Sequence, residues 1–191
     1  MRKARAQGYR SRAAYKLLEV DARDRLLRLG TKVVDLGAAP GGWSQVAAEK
    51  VLPDGAVVAV DVLEMAPLQG VRALQGDFRE PEVRALLVAA LGGAKADVVL
   101  SDMSPNLSGI APADQARAAE LALAAIAFCR EQLKPDGALL LKVFHGAAFG
   151  EVLAELKRTF RAVHARKPAA SRGESRETYL LARGLRQASR E

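Results

Sequence analysis

A lysine interrupts an apolar run in the C-terminal half of the sequence. Lys142 lies in Gly137-Ala138-Leu139-Leu140-Leu141-Lys142-Val143-Phe144, a pattern typical of a buried central strand. Lysine is almost never fully buried unless it is paired or functional. Burial disfavours its charged form, and a second nearby cation disfavours that form further, so Lys142 is a candidate general base. The alternative is an ordinary position on a sheet edge.

Four aspartates stand at or near the ends of predicted strands: Asp35, Asp61, Asp77 and Asp102. The carboxyl ends of parallel strands line the ligand crevice of an open sheet, so we expect these carboxylates to share one crevice. Helix capping explains one or two of them but not all four. Asp102 heads Asp102-Met103-Ser104-Pro105-Asn106 and faces the same crevice as Lys142 if their strands are neighbours.

A loop of small residues follows the first predicted strand, in Asp35-Leu36-Gly37-Ala38-Ala39-Pro40-Gly41-Gly42-Trp43. Gly37, Gly41 and Gly42 let backbone approach a ligand closely before a helix opens. The loop has neither the GxGxxG spacing nor a GK[ST] ending, so a pyrophosphate is not the expected ligand. A nucleoside-bearing small molecule fits better, with Asp61 placed to bind ribose hydroxyls. Trp43, the only tryptophan, either packs in the core or flanks this pocket.

Short β-like runs alternate with longer helical patterns, which predicts an α/β fold with a mainly parallel sheet. The predicted strands are 32–36, 56–60, 71–75, 96–101, 137–144, 160–166 and 178–182. The predicted helices are 11–29 with Ser11 as its cap, 42–51, 81–91, 112–134 and 148–159. The Pro135-Asp136-Gly137 turn is expected to end the fourth helix. No repeat or linker is visible, so we predict one domain over residues 1–191.

The composition is that of an ordinary globular protein. Of 191 residues, 50% are hydrophobic and 27% are charged, which argues against a disordered chain, a collagen-like fibre or a disulfide-stapled miniprotein. The single cysteine, Cys129, cannot form an internal disulfide and favours a reducing compartment. No apolar run reaches the roughly 20 residues of a membrane helix. We therefore expect a cytoplasmic protein with no membrane partner.

Positive charge is concentrated at the two ends of the chain. The net charge is +7, with nine bases and three acids in residues 1–28, ten bases and three acids in 157–191, and an acidic centre. If the two ends meet, they form a cationic face suited to a polyanion; otherwise they are two solvated basic segments. The proposed phosphate contacts are Arg2, Lys3, Arg5, Arg10, Arg12, Arg166, Lys167, Arg172 and Arg176.

From about Gly8 to about Gly184 the chain resembles the RrmJ/FtsJ family of ribose 2′-O-methyltransferases. Any one of the five markers that carry the resemblance is modest evidence, but all five in this order are very specific. They are Ser11-Arg12-Ala13 with Lys16-Leu17, the 35–45 loop with its Gly-Gly-Trp-Ser, Asp102-Met103-Ser104-Pro105-Asn106, Leu141-Lys142-Val143-Phe144 and Ser175-Arg176-Glu177.

The resemblance implies a Rossmann-like methyltransferase fold, with a seven-stranded, mostly parallel sheet flanked by helices and the last strand antiparallel. It implies S-adenosylmethionine as cofactor, and a catalytic tetrad of Lys16, Asp102, Lys142 and Glu177. The family's cofactor contacts fall on Gly41, Trp43, Asp61, Asp77 and Asp102, which favours Trp43 as a pocket residue. The implied substrate is a uridine ribose in large-subunit (23S) rRNA, on the assembled or assembling subunit.

In the expected mechanism, neutral Lys142 takes the proton of the ribose hydroxyl while its oxygen attacks the methyl group. Lys16 would disfavour the charged form of Lys142 and stabilise the developing alkoxide, Asp102 would orient Lys142, and Glu177 would position the lysines or the ribose. We expect no metal, because His145 and His164 are isolated in sequence, and we expect a monomer.

Three alternatives remain open from the sequence. The same chemistry could act on another RNA, such as a tRNA anticodon loop or a message cap. A non-catalytic assembly factor could bind rRNA and merely retain the fold. A nicotinamide-dependent oxidoreductase is the third, and the missing GxGxxG pattern disfavours it.

Overall fold

The computed structural model describes residues 7–105, 109–170 and 177–186. Its strands are β1 (Lys32–Leu36), β2 (Ala56–Asp61), β3 (Val71–Gln75), β4 (Ala96–Ser101), β5 (Leu133–Phe144), β6 (Phe160–Arg166) and β7 (Glu177–Leu185). Its helices are α1 (Ala13–Asp24), α2 (Gly42–Val51), α3 (Pro81–Ala90), α4 (Ala111–Gln132) and α5 (Phe149–Thr159).

These strands form one seven-stranded sheet in the order β3-β2-β1-β4-β5-β7-β6. Strands β1 to β5 pair in parallel, whereas β7 runs antiparallel to both β5 and β6. The predicted α/β class, the seven strands and the antiparallel last strand are all confirmed. Because β1 and β4 are neighbours, as are β4 and β5, the carboxyl ends of these three strands lie side by side at one edge of the sheet.

The first helix is shorter than predicted at both ends. Arg12 rather than Ser11 is its N-cap residue, and no side chain caps it. The helix stops at Asp24 because Arg25 adopts the left-handed conformation, with φ 52°, and its N–H donates to the carbonyl of Asp21. The Asp21 carboxylate then accepts the N–H of Leu27 at 2.8 Å, which fixes the turn that follows.

The predicted Pro135-Asp136-Gly137 helix stop is also wrong in detail. The fourth helix ends at Gln132, and β5 already begins at Leu133. Leu133 pairs with Ala96, and the register then shifts before Val98 pairs with Ala138. The Pro-Asp-Gly segment therefore forms an irregularity within the strand rather than a turn before it.

Apolar side chains alternate between the two faces of the sheet, as the twofold period of a strand requires. One core includes Val99, Leu139 and Leu141 and packs against α3, α4 and α5. The other includes Leu100, Leu140 and Leu181 and packs against α1 and α2. Within the described ranges, none of the helices combines the length and apolar character of a membrane span.

Candidate active site

Lys142 and Asp102 form an ion pair at the carboxyl edge of the sheet. The Lys142 side chain is only 7% exposed, and its Nζ lies 3.2 Å from Asp102 Oδ1. Nζ also donates a hydrogen bond of 2.6 Å to the backbone carbonyl of Asp102. The pairing of β4 with β5 brings the two residues together, as the sequence predicted. Lys142 is therefore a buried, paired lysine of a central strand rather than an edge residue.

Tyr179 is a further member of this site that sequence reasoning missed. Its hydroxyl donates a 2.7 Å hydrogen bond to Asp102 Oδ1, and it stands directly opposite Lys142 in the β5–β7 pair. Burial raises the pKa of the Tyr179 phenol, and the Asp102 carboxylate raises it further. Tyr179 therefore stays protonated and acts as a donor. The available signal was its place two residues after Glu177, on the same face of a strand.

Lys16 and Glu177 form a second ion pair, between α1 and the first residue of β7. Both side chains are mostly buried, with 16% and 13% of their surface exposed. Lys16 Nζ lies 5.6 Å from the centroid of the Tyr179 ring. The four predicted tetrad residues are thus arranged as two ion pairs, and Tyr179 contacts both of them.

Four more hydrogen bonds hold α1 against β6 and the segment that follows β6. The Arg166 guanidinium donates two 2.7 Å bonds to the Asp24 carboxylate, which holds the pKa of that carboxyl below its usual range. Glu19 accepts the backbone N–H groups of Ala169 and Ala170. The described parts of the two basic segments, 1–28 and 157–191, therefore meet in space, and this docking brings Lys16 to Glu177.

The segment before α1 lies over the glycine loop. Arg10 donates hydrogen bonds to three carbonyls, those of Pro40 in the loop and of Ala66 and Pro67 after β2, at 3.2, 2.7 and 2.5 Å. At Gly42 a Cβ atom would come within 2.1 Å of Ser11 Oγ. Gly42 thus admits this segment of the chain itself, a reason for the glycine that the sequence did not indicate.

The other two predicted loop glycines have positive φ angles, of 72° at Gly37 and 103° at Gly41. Residues that carry a side chain rarely adopt such backbone angles, so both positions favour glycine. At Gly37 a Cβ atom would also come within 2.2 Å of the Met103 side chain. The loop is therefore built to pass closely between its neighbours at the end of β1.

Asp61 orders the loops on both sides of the crevice. One carboxylate oxygen accepts the N–H of Ala39 at 2.9 Å, and the other accepts the N–H of Leu63 at 2.8 Å. Asp77 instead forms an ion pair of 2.6 Å with Arg79, which lowers the pKa of the Asp77 carboxyl. Their roles as cofactor ligands remain predictions, and at Asp77 a ligand would share the carboxylate with Arg79.

Trp43 lies in the core, with 3% of its surface exposed. Its ring centroid is 5.6 Å from that of Tyr179, and its indole N–H donates to the carbonyl of Ala13 at 2.7 Å. The structure thus gives Trp43 a packing role between α1, α2 and the Tyr179 ring. Its predicted contact with the cofactor is a separate hypothesis.

Asp35 is the most deeply buried of the four aspartates, with 1% of its surface exposed. Its Oδ2 accepts a 2.6 Å hydrogen bond from the Ser44 hydroxyl. Burial raises the pKa of Asp35 to about 7, with the carboxylates of Asp102 and Asp61 adding to the effect and the Ser44 bond opposing it. Asp35 is thus protonated over part of the neutral range, unlike an ordinary surface carboxyl.

The chemistry of this crevice fits the cofactor that the resemblance implies. S-adenosylmethionine carries a cationic sulfonium and an ammonium group, and a ribose whose hydroxyls donate hydrogen bonds. Asp61 ends β2 and Asp102 directly follows β4, and these are the two strands that flank β1. Both carboxylates therefore lie beside the glycine loop that follows β1. Such acceptors suit both the cationic groups and the ribose diol.

The predicted phosphate contacts divide into three groups. Arg2, Lys3, Arg5, Arg172 and Arg176 lie outside the described residues. The Arg10 guanidinium donates to backbone carbonyls, and the Arg166 guanidinium donates to Asp24. Each would have to share its donors, or exchange these partners, in order to bind an RNA phosphate. Arg12 and Lys167 are exposed to solvent. Of the nine predicted phosphate contacts, these two remain candidates on the exposed surface of the described residues.

Three further sequence expectations can be compared with the structure. Cys129 is fully buried in α4, and this burial raises the pKa of its thiol, so its reading as a core residue is confirmed. His145 lies in the loop after β5, whereas His164 lies in β6. Among residues 7–105, 109–170 and 177–186, no group of three or more His, Cys, Asp or Glu side chains is placed to hold a metal ion.

Comparison with known sequences identifies the family. Residues 9–185 match the model of the FtsJ-like methyltransferases. Among the curated relatives, the ribosomal RNA large subunit methyltransferase E of Verminephrobacter eiseniae is 54% identical over 189 residues, which is 99% of this chain and 78% of that protein. The protein of the same name from Nitrosospira multiformis is 54% identical over 97% of this chain and 90% of its own length.

Solved structures agree with this match. A Plasmodium falciparum protein described as a ribosomal RNA methyltransferase superposes with a TM-score of 0.83 at 30% identity, covering 93% of this chain and 98% of its own. Aeropyrum pernix fibrillarin in complex with S-adenosylmethionine superposes with a TM-score of 0.64 at 17% identity, covering 91% and 75%, which shows a shared fold. The family match, the acidic crevice and the buried lysine together make this chain an enzyme of the FtsJ-like methyltransferase family, with S-adenosylmethionine as its methyl donor.

Proposed function

We propose that the protein transfers a methyl group from S-adenosylmethionine to the 2′-hydroxyl of a uridine ribose in large-subunit (23S) rRNA, on the assembled or assembling subunit. The observation that carries the reaction type is the buried Lys142–Asp102 pair at the edge of the cofactor crevice. The names and the near-complete coverage of the bacterial relatives support the substrate.

A 2′-hydroxyl is a weak acid, so its proton must leave as the oxygen attacks. The cofactor supplies a methyl group that is activated by the neighbouring sulfonium. Lys142 Nζ accepts the hydroxyl proton, while the bond between oxygen and methyl carbon forms and the bond between sulfur and that carbon breaks. Such a base contributes typically about 10²- to 10⁴-fold to the rate.

Asp102 holds Lys142 in position through its carboxylate and its carbonyl. Both contacts keep the Lys142 Nζ at the carboxyl edge of the sheet. Asp102 also places a negative charge near the positively charged methyl donor.

We assign the second ion pair to the ribose. Lys16 stabilises the negative charge that develops on the 2′-oxygen, and Glu177 keeps the Lys16 ammonium group in place. Because Glu177 neutralises much of the charge of Lys16, repulsion between the two lysines is weaker than the sequence suggested. The larger contribution of Lys16 is therefore electrostatic stabilisation and positioning.

The cofactor would be held at the ends of β1, β2, β3 and β4. Asp61 would bind the ribose hydroxyls, and Asp77 and Asp102 would contribute carboxylates. Further contacts would come from Gly37, Gly41, Gly42 and Trp43. Since Trp43 is buried beneath Tyr179, we expect its backbone or one ring edge to serve, rather than an exposed ring face.

Residues 1–28 and 157–191 would supply the RNA-binding face of a single domain spanning 1–191. Their described parts already meet through the Asp24–Arg166 and Lys16–Glu177 pairs. Arg12 and Lys167 would contact phosphates, so affinity for RNA should fall as salt rises. We expect the protein to act as a monomer, in the cytoplasm, where ribosomal subunits are found.

The decisive experiment uses large ribosomal subunits that lack their methyl marks. The protein is incubated with these subunits and labelled S-adenosylmethionine, and the product is mapped for 2′-O-methyl groups. Label at one large-subunit uridine would support cofactor, reaction and substrate together. If the subunits stay unlabelled and a tRNA or a capped message is labelled instead, that RNA is the substrate. Cofactor binding without any label would favour a non-catalytic assembly role. Fully methylated subunits are the matched control.

A further inference from the structure

Two aromatic rings stack on each other just beyond the end of β5. The imidazole of His145 and the ring of Phe149 have centroids 4.6 Å apart and are inclined by 25°. His145 is exposed, whereas Phe149 is half-buried and packs against the core. One face of the imidazole is therefore covered by an anchored ring, and the pair presents the other face outwards.

This pair is held rigidly. His145 Nε2 lies 3.1 Å from the hydroxyl of Thr178, the residue next to Glu177. The loop between the two rings is fixed by Gln115, whose side-chain oxygen accepts the N–H of Ala147 at 3.2 Å. At Gly146 a Cβ atom would come within 2.5 Å of that same oxygen, so a larger residue there would have to displace the Gln115 side chain.

The pair directly follows β5, the strand that carries Lys142. His145 follows Lys142 by three residues, and the ring of Phe144 between them lies 5.6 Å from Lys142 Nζ. Phe144 is in turn opposite Glu177 in the β5–β7 pair. His145 thus lies one residue beyond the end of β5 and beside the first residues of β7. Each of these strands carries a member of the tetrad.

We propose that His145, supported by Phe149, is a stacking platform for a base of single-stranded RNA, at or beside the nucleotide whose ribose reaches Lys142. This rests on the proposed function for the identity of the ligand as RNA. Aromatic side chains, histidine included, recognise RNA by stacking on bases that are splayed out of a helix. A ring that served only packing would not need its outer face exposed at the rim of the site.

Binding of a labelled hexauridylate, in the presence of saturating S-adenosylhomocysteine, tests this platform. Stacking accounts for about 1–3 kcal/mol per base on alanine substitution, so His145→Ala should weaken binding between roughly 5- and 150-fold. His145→Tyr keeps a ring and loses the imidazole, and it should bind within a few-fold of wild type. His145→Gln keeps a polar side chain near Thr178 and loses the ring, and it should fall with the alanine variant.

Two controls separate stacking from charge. A hexamer of base-free ribose phosphates should bind equally to wild type and to His145→Ala. The salt dependence of hexauridylate binding should be unchanged in His145→Ala, whereas Arg12→Ala should reduce its slope by about 0.7 if Arg12 contacts one phosphate of a single strand. Equal affinity of wild type and His145→Ala for hexauridylate, a loss in His145→Tyr as large as in alanine, or no binding by wild type would each overturn the platform.

This assay measures binding and does not depend on turnover. A protein that binds hexauridylate through His145 but leaves large subunits unlabelled would keep the platform and refute the proposed substrate. A protein that labels the subunits normally after His145→Ala, with unchanged KM for the subunit, would keep the proposed function and refute the platform.

Discussion

The Tyr179 hydroxyl donates to Asp102 Oδ1 at 2.7 Å, the same oxygen that lies 3.2 Å from Lys142 Nζ. One carboxylate oxygen therefore receives a neutral donor and a lysine side by side. Since burial raises the pKa of Tyr179, its phenol holds its proton and fixes the direction of this bond. The position of Lys142, the proposed base, thus depends on an aromatic residue of the antiparallel strand.

Tyr179→Phe should therefore lower turnover without unfolding the protein. The substitution keeps the ring packed on Trp43 and removes one hydrogen bond to a charged group, a loss of about 1.5–3 kcal/mol. We expect kcat to fall at least tenfold with affinity for S-adenosylhomocysteine nearly unchanged. Steady-state kinetics and titration calorimetry provide the two measurements. A kcat equal to that of wild type would show that the Tyr179 hydroxyl does not contribute to turnover.

Lys142→Ala should retain cofactor binding and lose at least about a hundredfold in turnover, because the base is gone. Lys142→Arg is the matched variant, since a guanidinium keeps the positive charge but does not deprotonate in proteins. Both variants should be similarly inactive if the lysine acts as a base. An active Lys142→Arg enzyme would show that only its charge is needed, and an active Lys142→Ala enzyme that neither is.

Asp35 should make the stability of the protein fall between about pH 4 and pH 7. Its pKa of about 7 in the folded state lies above the value of about 3.9 for an unfolded aspartate, so the folded state binds the proton more tightly. The free energy of unfolding contributed by this group therefore decreases as pH rises through that window, by about 4 kcal/mol, and is level above it.

Asp35→Asn removes this titration, so its stability relative to wild type should increase from pH 4 to pH 7. Urea unfolding at several pH values measures the difference. Ser44→Ala removes the bond that lowers the pKa of Asp35, and it should extend the decrease to higher pH. Parallel curves for wild type and Asp35→Asn would show that Asp35 titrates normally.

Arg10→Ala should weaken cofactor binding rather than RNA binding. Its guanidinium joins the glycine loop to the loop after β2, so its loss should loosen both sides of the crevice. A hydrogen bond that involves a charged group contributes about 1.5–3 kcal/mol, so we expect at least about a tenfold increase in the Kd for S-adenosylhomocysteine. Arg12→Ala is the control, with unchanged cofactor affinity. A reduced salt dependence of RNA binding in Arg10→Ala would instead show that Arg10 contacts an RNA phosphate.

Chelation should not affect the reaction. The proposed transfer places a proton on Lys142 and uses no metal-bound water, so EDTA followed by gel filtration should leave kcat unchanged. Ribosomal subunits need Mg²⁺ for their own structure, so the enzyme alone is treated and then added to subunits in Mg²⁺ buffer. Activity restored only by adding Zn²⁺ or Mn²⁺ would contradict the proposed chemistry.

The sequence by itself determined the α/β class and the order of the elements, and through the family resemblance it predicted the residues of the tetrad. Strands and helices have different hydrophobic periods, so their bounds can be read locally to within a few residues. A lysine within an apolar strand and acids at strand ends stand out for the same local reason. The end of α1 and the start of β5 were missed because Arg25 and the Ala96–Leu133 pairing depend on neighbours distant in sequence.

Only the tertiary structure decided how these residues pair. The sequence could not show that Lys16 contacts Glu177, because 161 residues separate them and the docking of α1 on β6 and β7 closes that distance. It could not show that Arg10 and Arg12 have different roles, because the two residues carry the same charge. In the structure Arg10 donates to backbone carbonyls, whereas Arg12 faces solvent. Tyr179 became a site residue for the same reason: the antiparallel register places it opposite Lys142, and register depends on the packing of both faces of the sheet.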